Sequence, residues 1–331
     1  MSRSAVRPVS TSSKFSIYPC RSGVPAAIYD DSGGDAYRCL SQPHECMNLP
    51  SPTPDKTQNC AGRSLDLSQP QVMGILNVTP DYFSDVGDFF LPQQAVDRAA
   101  RMVEEGAAII DVGGESTRPG AAPVPVEEEL RRVIPVIEAL HASLAVPVSI
   151  DTRRPEVMQA AVAAGAGLIN DVNALQAPGA VELAARLGVP VCLMHMQGTP
   201  ETMQLQPVYN DVVSEVRDFL LTRANLCVQQ GIDRDQILLD PGFGFGKTSA
   251  HNLQLLQHLE LLVACGFPVL AGLSRKSLIG QTLGLPVDER LYAGIALAVL
   301  AVWKGAAIIR CHDVRENREA VMMCEVVRDA G

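Results

Sequence analysis

The sequence predicts an α/β protein built as a (β/α)8 TIM barrel, carried behind a disordered or loosely packed N-terminal extension. Three observations support this. From about residue 63, short apolar runs alternate with longer amphipathic ones, eight of each. Most of the short runs are apolar almost end to end, as strands covered by helices on both faces must be. Glycine recurs at the joins. Gly106, Gly165, Gly188, Gly231, Gly266 and Gly305 each follow a helical pattern and shortly precede a strand, where a left-handed residue ends a helix. A doubly wound sheet is the lesser alternative.

The extension comes first. Residues 1–60 hold ten serines and seven prolines with no sustained apolar period, and SPTPD at 51–55 can continue neither a helix nor a central strand. The expected division is therefore a low-complexity extension over 1–60 and a barrel domain over 61–331. Residues 1–29 carry Arg3, Arg7, Lys14 and Arg21 and no acid, a composition shared with organelle transit peptides. They show no clear amphipathic face, which favours a dispensable extension. SLDLSQP (64–70) is expected to cover the bottom of the barrel.

Eight strands follow: VMGILN (72–77), AAIIDV (107–112), VPVSID (146–151), AGLIND (166–171), VPVCLMH (189–195), QILLD (236–240), FPVLAGLS (267–274) and AAIIRCH (306–312). The intervening segments PQQAVDRAARMVEEG, VEEELRRVIPVIEALH, PEVMQAAVAAG, PGAVELAARLG, DVVSEVRDFLLTRANLCVQQG and SAHNLQLLQHLELLVACG repeat apolar residues at three- and four-residue spacing. DERLYAGIALAVLAVWKG is apolar nearly all round, and RENREAVMMCEVVRDA closes the set. Pro155 and Pro178 suit first turns.

Bulk properties narrow the function. With 331 residues, 47% hydrophobic and 19% charged, the chain can bury one large barrel core. A net charge of −10 argues against nucleic acid or an anionic membrane as partner. No apolar run reaches the roughly 18 residues of a membrane span. Nine cysteines, an odd number without a CxxC pair, indicate reduced thiols and a cytoplasmic protein. An organelle is the alternative if residues 1–29 act as a transit peptide.

Barrel chemistry sits at the C-terminal strand ends. Here those ends are polar: Asn77, Asp111, Asp151, Asn170 with Asp171, His195, Asp240, Ser274 before Arg275 and Lys276, and Arg310 with His312. Asp151, Asp171 and Asp240 could instead cap the helices that follow. Polar groups converging on one rim are costly to bury unless a polar ligand pairs with them. Asp151, Asn170 and Asp240 suit a flat heterocycle with N–H donors and a carbonyl, and Lys276 adds a cation. Arg118, Arg310 and His312 form a second cationic set suited to phosphates. Asn77 is a neutral oxygen ligand of the kind that helps hold phosphate-bound Mg²⁺. A polar heterocycle joined to a mono- or diphosphate is the substrate these residues suggest.

ILLDPGFGFGKT (237–248) imitates a nucleotide loop. A phosphate-binding loop needs glycine five residues before Gly246, where Pro241 stands, and the dinucleotide pattern also fails. The stretch reads better as a strand-end carboxylate, Asp240, followed by a tight loop in which Phe243 or Phe245 can present a ring. Lys247 is expected at the surface. NVTPDYFSDVGD (77–88) and GGESTRPGAAP (113–123) read as mobile active-site loops.

In series, MGILNVTPD, IIDVGGESTRPGA, SIDT, IND, CLMHMQGTP, LLDPGFGFGK, SRKS and IIRCHDV resemble the dihydropteroate synthase family, in that family's order, from about residue 58 to 325. The resemblance implies a (β/α)8 transferase of folate biosynthesis. It would join 6-hydroxymethyl-7,8-dihydropterin pyrophosphate to p-aminobenzoate by a dissociative reaction, use Mg²⁺, work as a homodimer and be inhibited by sulfonamides. It implies that Asp151, Asn170, Met194, Asp240 and Lys276 hold the pterin, and that Thr117, Arg118, Arg310 and His312 hold pyrophosphate. Asn77 would bind the metal, with Asp81 the expected partner of the developing cation. Phe83, Thr117, Pro119, Phe245 and Ser277 would shape the p-aminobenzoate pocket. Asp240, Lys276, Arg118 and Asp81 are the implied catalytic set. GIALAVLAVW agrees with a buried dimer face. Tyr82 and Val86 depart from the family's TPDSFSDGG loop, so altered loop closure and sulfonamide affinity are expected. Three rival readings stay open: a methyltetrahydrofolate–corrinoid methyltransferase-like barrel, a Schiff-base aldolase using Lys276, and a non-catalytic pterin-binding homologue.

Overall fold

The computed structural model describes residues 57–79, 91–116, 123–200 and 202–330. The first element is an antiparallel hairpin, β1 (Thr57–Cys60) with β2 (Arg63–Asp66). The expected boundary at 60/61 falls inside this hairpin, between its strands. The two four-residue strands alternate buried and exposed positions, too briefly to stand out in the sequence.

The barrel is built from β3 (Gln71–Asn77), β4 (Ile109–Gly113), β5 (Val148–Asp151), β6 (Leu168–Asp171), β7 (Val191–Met194), β8 (Ile237–Asp240), β9 (Leu270–Ala271) and β10 (Ile308–Cys311). The strand order is β8-β7-β6-β5-β4-β3-β10-β9, with every pairing parallel. A parallel bridge, Leu239 to Val269, closes the ring. All eight expected strands are present. Seven start one to three residues later than expected; in β5, β7 and β9 the late start falls at Pro147, Pro190 and Pro268, which have no N–H for the ladder. Their carbonyls still accept, from Ile110 at 3.1 Å, Ile169 at 2.9 Å and Leu239 at 2.9 Å.

Helices α1 (Leu91–Glu104), α2 (Val126–Ser143), α3 (Pro155–Ala163), α4 (Ala180–Leu187), α5 (Val212–Gln229), α6 (Ser249–Gln257), α7 (Leu259–Val263), α8 (Ser277–Leu283), α9 (Leu291–Trp303) and α10 (Val314–Arg328) cover the strands. The segment expected as one helix over SAHNLQLLQHLELLVACG breaks at His258 into α6 and α7. The seven-residue α8 was not expected. Pro155 opens α3, whereas Pro178 precedes the cap residue Gly179 of α4. The six glycines at the helix-to-strand joins all have positive φ, from 65° at Gly188 to 111° at Gly165.

Two apolar layers result. Strand residues such as Ile110, Ile150, Ile169, Val191 and Leu239 pack against the helices. Inside the barrel, at its N-terminal end, Met73, Ile109, Leu168, Cys192, Leu238, Leu270 and Ile308 meet Cys60, Leu65 and Leu67. The hairpin seals that end, and SLDLSQP is part of the seal. A Cβ on Gly167 would stand 2.4 Å from the Cys60 carbonyl oxygen, so only glycine lets the two backbones approach. Burying this inner cluster away from water favours the closed bottom by about 25 cal/mol per Å² of apolar surface. No helix among the described residues is long and apolar enough to cross a membrane.

Candidate active site

Parallel register brings the strand ends into one rim. Gly113 faces Asp151, Asp151 faces Asn170, and Met194 faces Asp240. The five residues expected to hold a pterin, Asp151, Asn170, Met194, Asp240 and Lys276, line a single cleft, with Arg310 and Phe245 on the same walls. Val172 completes its apolar side, packed with Met194 and Phe245. Phe243, equally readable as core or pocket, does both: it is fully buried and touches the cleft.

A buried charge network underlies the cleft. Asp111 Oδ2 accepts from Arg310 Nε at 2.6 Å and from Asn170 Nδ2 at 3.0 Å, while Asp151 Oδ2 accepts from Arg310 Nη2 at 2.7 Å. Burial works against the Arg310 charge, but Asp111 and Asp151 together hold it firmly protonated. Burial raises the Asp151 carboxyl above its usual range, with Arg310 opposing. Two nitrogens of Arg310 are thus committed to carboxylates at the floor of the rim. Asp111 read in the sequence only as one polar strand end; its partners across the barrel give it a role that no linear spacing reveals.

Asp240 Oδ1 accepts from the Gly242 N–H at 2.7 Å. Burial raises its pKa, opposed by that N–H and by Lys276. Lys276 stands with Nζ 4.2 Å from the centroid of the Phe245 ring. Burial pushes its pKa down to about 8, against the pull of Asp240. The cleft therefore offers two carboxylates, an amide and an ammonium in an apolar enclosure, matching a flat solute with several polar edges.

Lys247 is not at the surface. It is 3% exposed, and its Nζ donates to the carbonyls of Gly242 (2.9 Å), Phe245 (2.9 Å) and His195 (3.2 Å). Its fourth neighbour is His195 Nδ1 at 2.9 Å; three N–H groups serve four acceptors, so one proton is shared between that nitrogen and the His195 carbonyl, and the neutral ring carries its own proton on Nε2. Burial, then Lys247, pushes the His195 pKa down to about 3. His195 consequently faces the loop and not the cleft. A lysine beside three glycines looks exposed in a sequence; here the left-handed turns at Gly242, Gly244 and Gly246 aim carbonyls inward around it. Thr248 caps α6 through a bond from His251 N at 3.2 Å. Asp171 also serves the backbone, accepting from Asn173 N and Leu175 N at 2.7 Å each.

The remaining expected residues scatter around the rim. Asn77 ends β3, and a Cβ placed on Gly113 would lie 3.8 Å from both Asn77 Oδ1 and Asp151 Oδ2. His312 Nδ1 stands 3.0 Å from Ser274 Oγ, just beyond Arg310. Ser277 opens α8, exposed beside Lys276. Asp81, Phe83, Thr117, Arg118 and Pro119, with Tyr82 and Val86, lie outside the described residues. Glu115 ties the ends of the second loop, its Oε1 accepting from Val124 N at 3.1 Å and from Arg154 Nη2 at 3.2 Å.

The sequence profile of the family described as pterin binding enzyme matches residues 73–312. The dihydropteroate synthase of Escherichia coli is 53% identical over 269 residues, 81% of this chain and 95% of the relative. That of Haemophilus influenzae is 50% identical over 268 residues, 81% and 98% of the two chains. Among solved structures, Xanthomonas albilineans dihydropteroate synthase with 4-aminobenzoic acid superposes with a TM-score of 0.79 at 53% identity, over 83% of this chain and 98% of the other. The Yersinia pestis dihydropteroate synthase–sulfonamide complex gives a TM-score of 0.79 at 51% identity, over 82% and 99%. The Xanthomonas albilineans synthase with 7,8-dihydropteroate gives a TM-score of 0.76 at 50% identity, over 82% and 98%.

Proposed function

Because the chain belongs to the pterin binding enzyme family, as a transferase of the dihydropteroate synthase type, we propose that it joins 6-hydroxymethyl-7,8-dihydropterin pyrophosphate to p-aminobenzoate, giving 7,8-dihydropteroate and pyrophosphate. The observation that carries this reading is the single cleft shared by Asp151, Asn170, Asp240, Lys276 and Met194. Asp151 and Asp240 would accept from the ring's N–H groups, Asn170 and Lys276 would donate to its acceptors, and Met194 would pack on its face. Three structures of two relatives, solved with 4-aminobenzoic acid, a sulfonamide drug and 7,8-dihydropteroate, support the same substrates.

The reaction we propose is dissociative. The bond from the pterin methylene to pyrophosphate breaks first, and both electrons leave with the pyrophosphate oxygen. Arg118, Thr117, Arg310 and His312 would receive that charge. Asp240 beside the ring, with Asp81, would stabilise the methylene cation left behind. The aryl amine then forms the new carbon–nitrogen bond and releases one proton, so no strong general base is required. Phe245, Ser277, Phe83, Thr117 and Pro119 would hold p-aminobenzoate.

We propose Mg²⁺ as the cofactor, in line with the neutral oxygen that Asn77 presents at the end of β3. Such an ion would be held mainly by pyrophosphate oxygens and water. Asn77 would give it one neutral oxygen, and the bound ion would spread the charge of the leaving group. We further propose a homodimer through α9 and α10, where Leu300 (50% exposed), Trp303 (55%) and Val326 (66%) form an uncovered apolar face. The buried thiols of Cys60, Cys192, Cys227, Cys311 and Cys324 favour the cytoplasm.

A pyrophosphate-release assay with the dihydropterin substrate tests the reading. Release that accelerates with p-aminobenzoate but persists slowly without it is the expected result. Strict dependence on p-aminobenzoate would count against the dissociative order, and no release under any condition against the function.

A further inference from the structure

We propose that Lys247, which lies outside the substrate cleft, is a positioning residue: its ammonium fixes the Pro241–Gly246 backbone so that Asp240 and Lys276 face the dihydropterin. The inference rests on the reading of the cleft as a dihydropterin site.

The loop has little regular structure of its own. Its Gly242, Gly244 and Gly246 are all left-handed, at φ 67°, 82° and 61°, and its backbone is fixed largely by side chains. Asn252 Oδ1 accepts from Gly244 N at 2.8 Å, Gln204 Nε2 donates to Gly244 O at 2.6 Å, and Tyr209 Oη donates to Gly246 O at 2.8 Å. These three restrain the outer half of the loop. The inner half depends on Lys247, whose Nζ grips the carbonyls of Gly242 and Phe245 at 2.9 Å each.

Both gripped residues serve the cleft directly. The Gly242 N–H donates to Asp240 Oδ1 at 2.7 Å, setting that carboxylate's rotamer. The Phe245 ring carries Lys276 Nζ at 4.2 Å. One ammonium therefore sits a single residue away from each of two opposite charges proposed to read the pterin. Its other anchor is β7, through the His195 carbonyl and ring. The His195 ring is wedged edge-on against Phe219, with centroids 5.0 Å apart, so the anchor is itself rigid. Burying an ammonium is costly unless all its protons are bonded. A loop that needed only to fold could fill this space with an apolar chain. Lys247 instead supplies three directed bonds, which fix where the carbonyls point and so where the cleft's charges stand.

The test is Lys247→Met in the full chain, compared with the parent by calorimetric titration of dihydropterin pyrophosphate well below the melting temperature of each. The expected result is a folded protein that binds the pterin substrate at least tenfold more weakly, with a higher KM for it and a lower kcat. Affinity and KM within twofold of the parent, whatever the melting temperature, would overturn the proposal. If Lys247→Met does not fold, His195→Gln and His195→Leu read the same hub. Glutamine keeps an acceptor for Nζ and is expected to bind within twofold of the parent, while leucine removes it and is expected to lose severalfold. Equal affinity in the two overturns the proposal. A parent that neither binds nor turns over the pterin substrate overturns the functional reading, and this inference with it; a competent parent with unchanged variants overturns this inference alone.

Discussion

Asp111→Asn tests whether the floor of the cleft is held by charge or by shape. The substitution is nearly isosteric and leaves no cavity, so its cost is electrostatic. In the parent, Asp111 Oδ2 accepts from Arg310 Nε and Asn170 Nδ2, while Oδ1 is buried without a partner among the described residues. An asparagine that turned its oxygen to those two donors would keep both bonds. Its NH2 would then occupy the position where Oδ1 finds no partner, and buried donors left unmet there cost about 1–3 kcal/mol. Removing one partner of a buried ion pair costs about 3–5 kcal/mol. Asp151 keeps hold of the other edge of Arg310, which places this variant near the lower end, at about 3 kcal/mol. For a domain of this size that corresponds to a fall in Tm of about 6–12 °C. Differential scanning calorimetry of the purified variant reads it. A fall of less than about 3 °C, with the fold intact by circular dichroism, would refute the claim that Asp111 is the counter-charge holding Arg310 and Asn170.

Asp240→Asn removes the negative charge proposed to stabilise the pterin cation and is expected to lower kcat/KM by about 100- to 1000-fold; pyrophosphate release with melting temperature as control measures it. Lys276 loses its charge as pH rises through about 8, so pterin affinity is expected to fall above that pH, and Lys276→Arg should move or abolish that limb in a titration series. Leu300→Glu with Trp303→Glu places charge on the apolar face of α9 and is expected to shift sedimentation from dimer to monomer; a sedimentation coefficient unchanged from the parent would sink the assigned interface. Gly242→Ala would set a Cβ 2.0 Å from the His195 carbonyl oxygen in a left-handed residue, and at least the roughly 1–2 kcal/mol conformational penalty should appear in chemical denaturation.

The barrel was legible because its signals are local and repeated. Each strand is a short apolar run, and each glycine join needs only one residue to announce it. The pterin set was legible for a related reason: a parallel barrel sends every strand's last residue to the same rim, so Asp151, Asn170 and Asp240 can be grouped without knowing a distance. What escaped depends on packing between distant segments. Lys247 is buried because left-handed glycines turn carbonyls toward it and His195 arrives from another strand, 52 residues away. His195 itself, a polar strand end like the others, turns out of the cleft for the same reason. The hairpin's four-residue strands and the seven-residue α8 are too short to carry a period. Strand starts slipped in most of the eight, since hydrophobicity registers neither a missing N–H, as at Pro147, Pro190 and Pro268, nor where ladder pairing begins.

The stopper at the N-terminal end has a consequence for traffic. With Cys60, Leu65 and Leu67 packed on the apolar cluster inside the barrel, the cleft at Asp151 and Asp240 is, among the described residues, closed from below. A solute in that cleft therefore has the barrel's packed interior beneath it and can be approached only from the side of the strand ends. The stopper thus does for the site what a floor does for a well: it makes arrival and departure share one side.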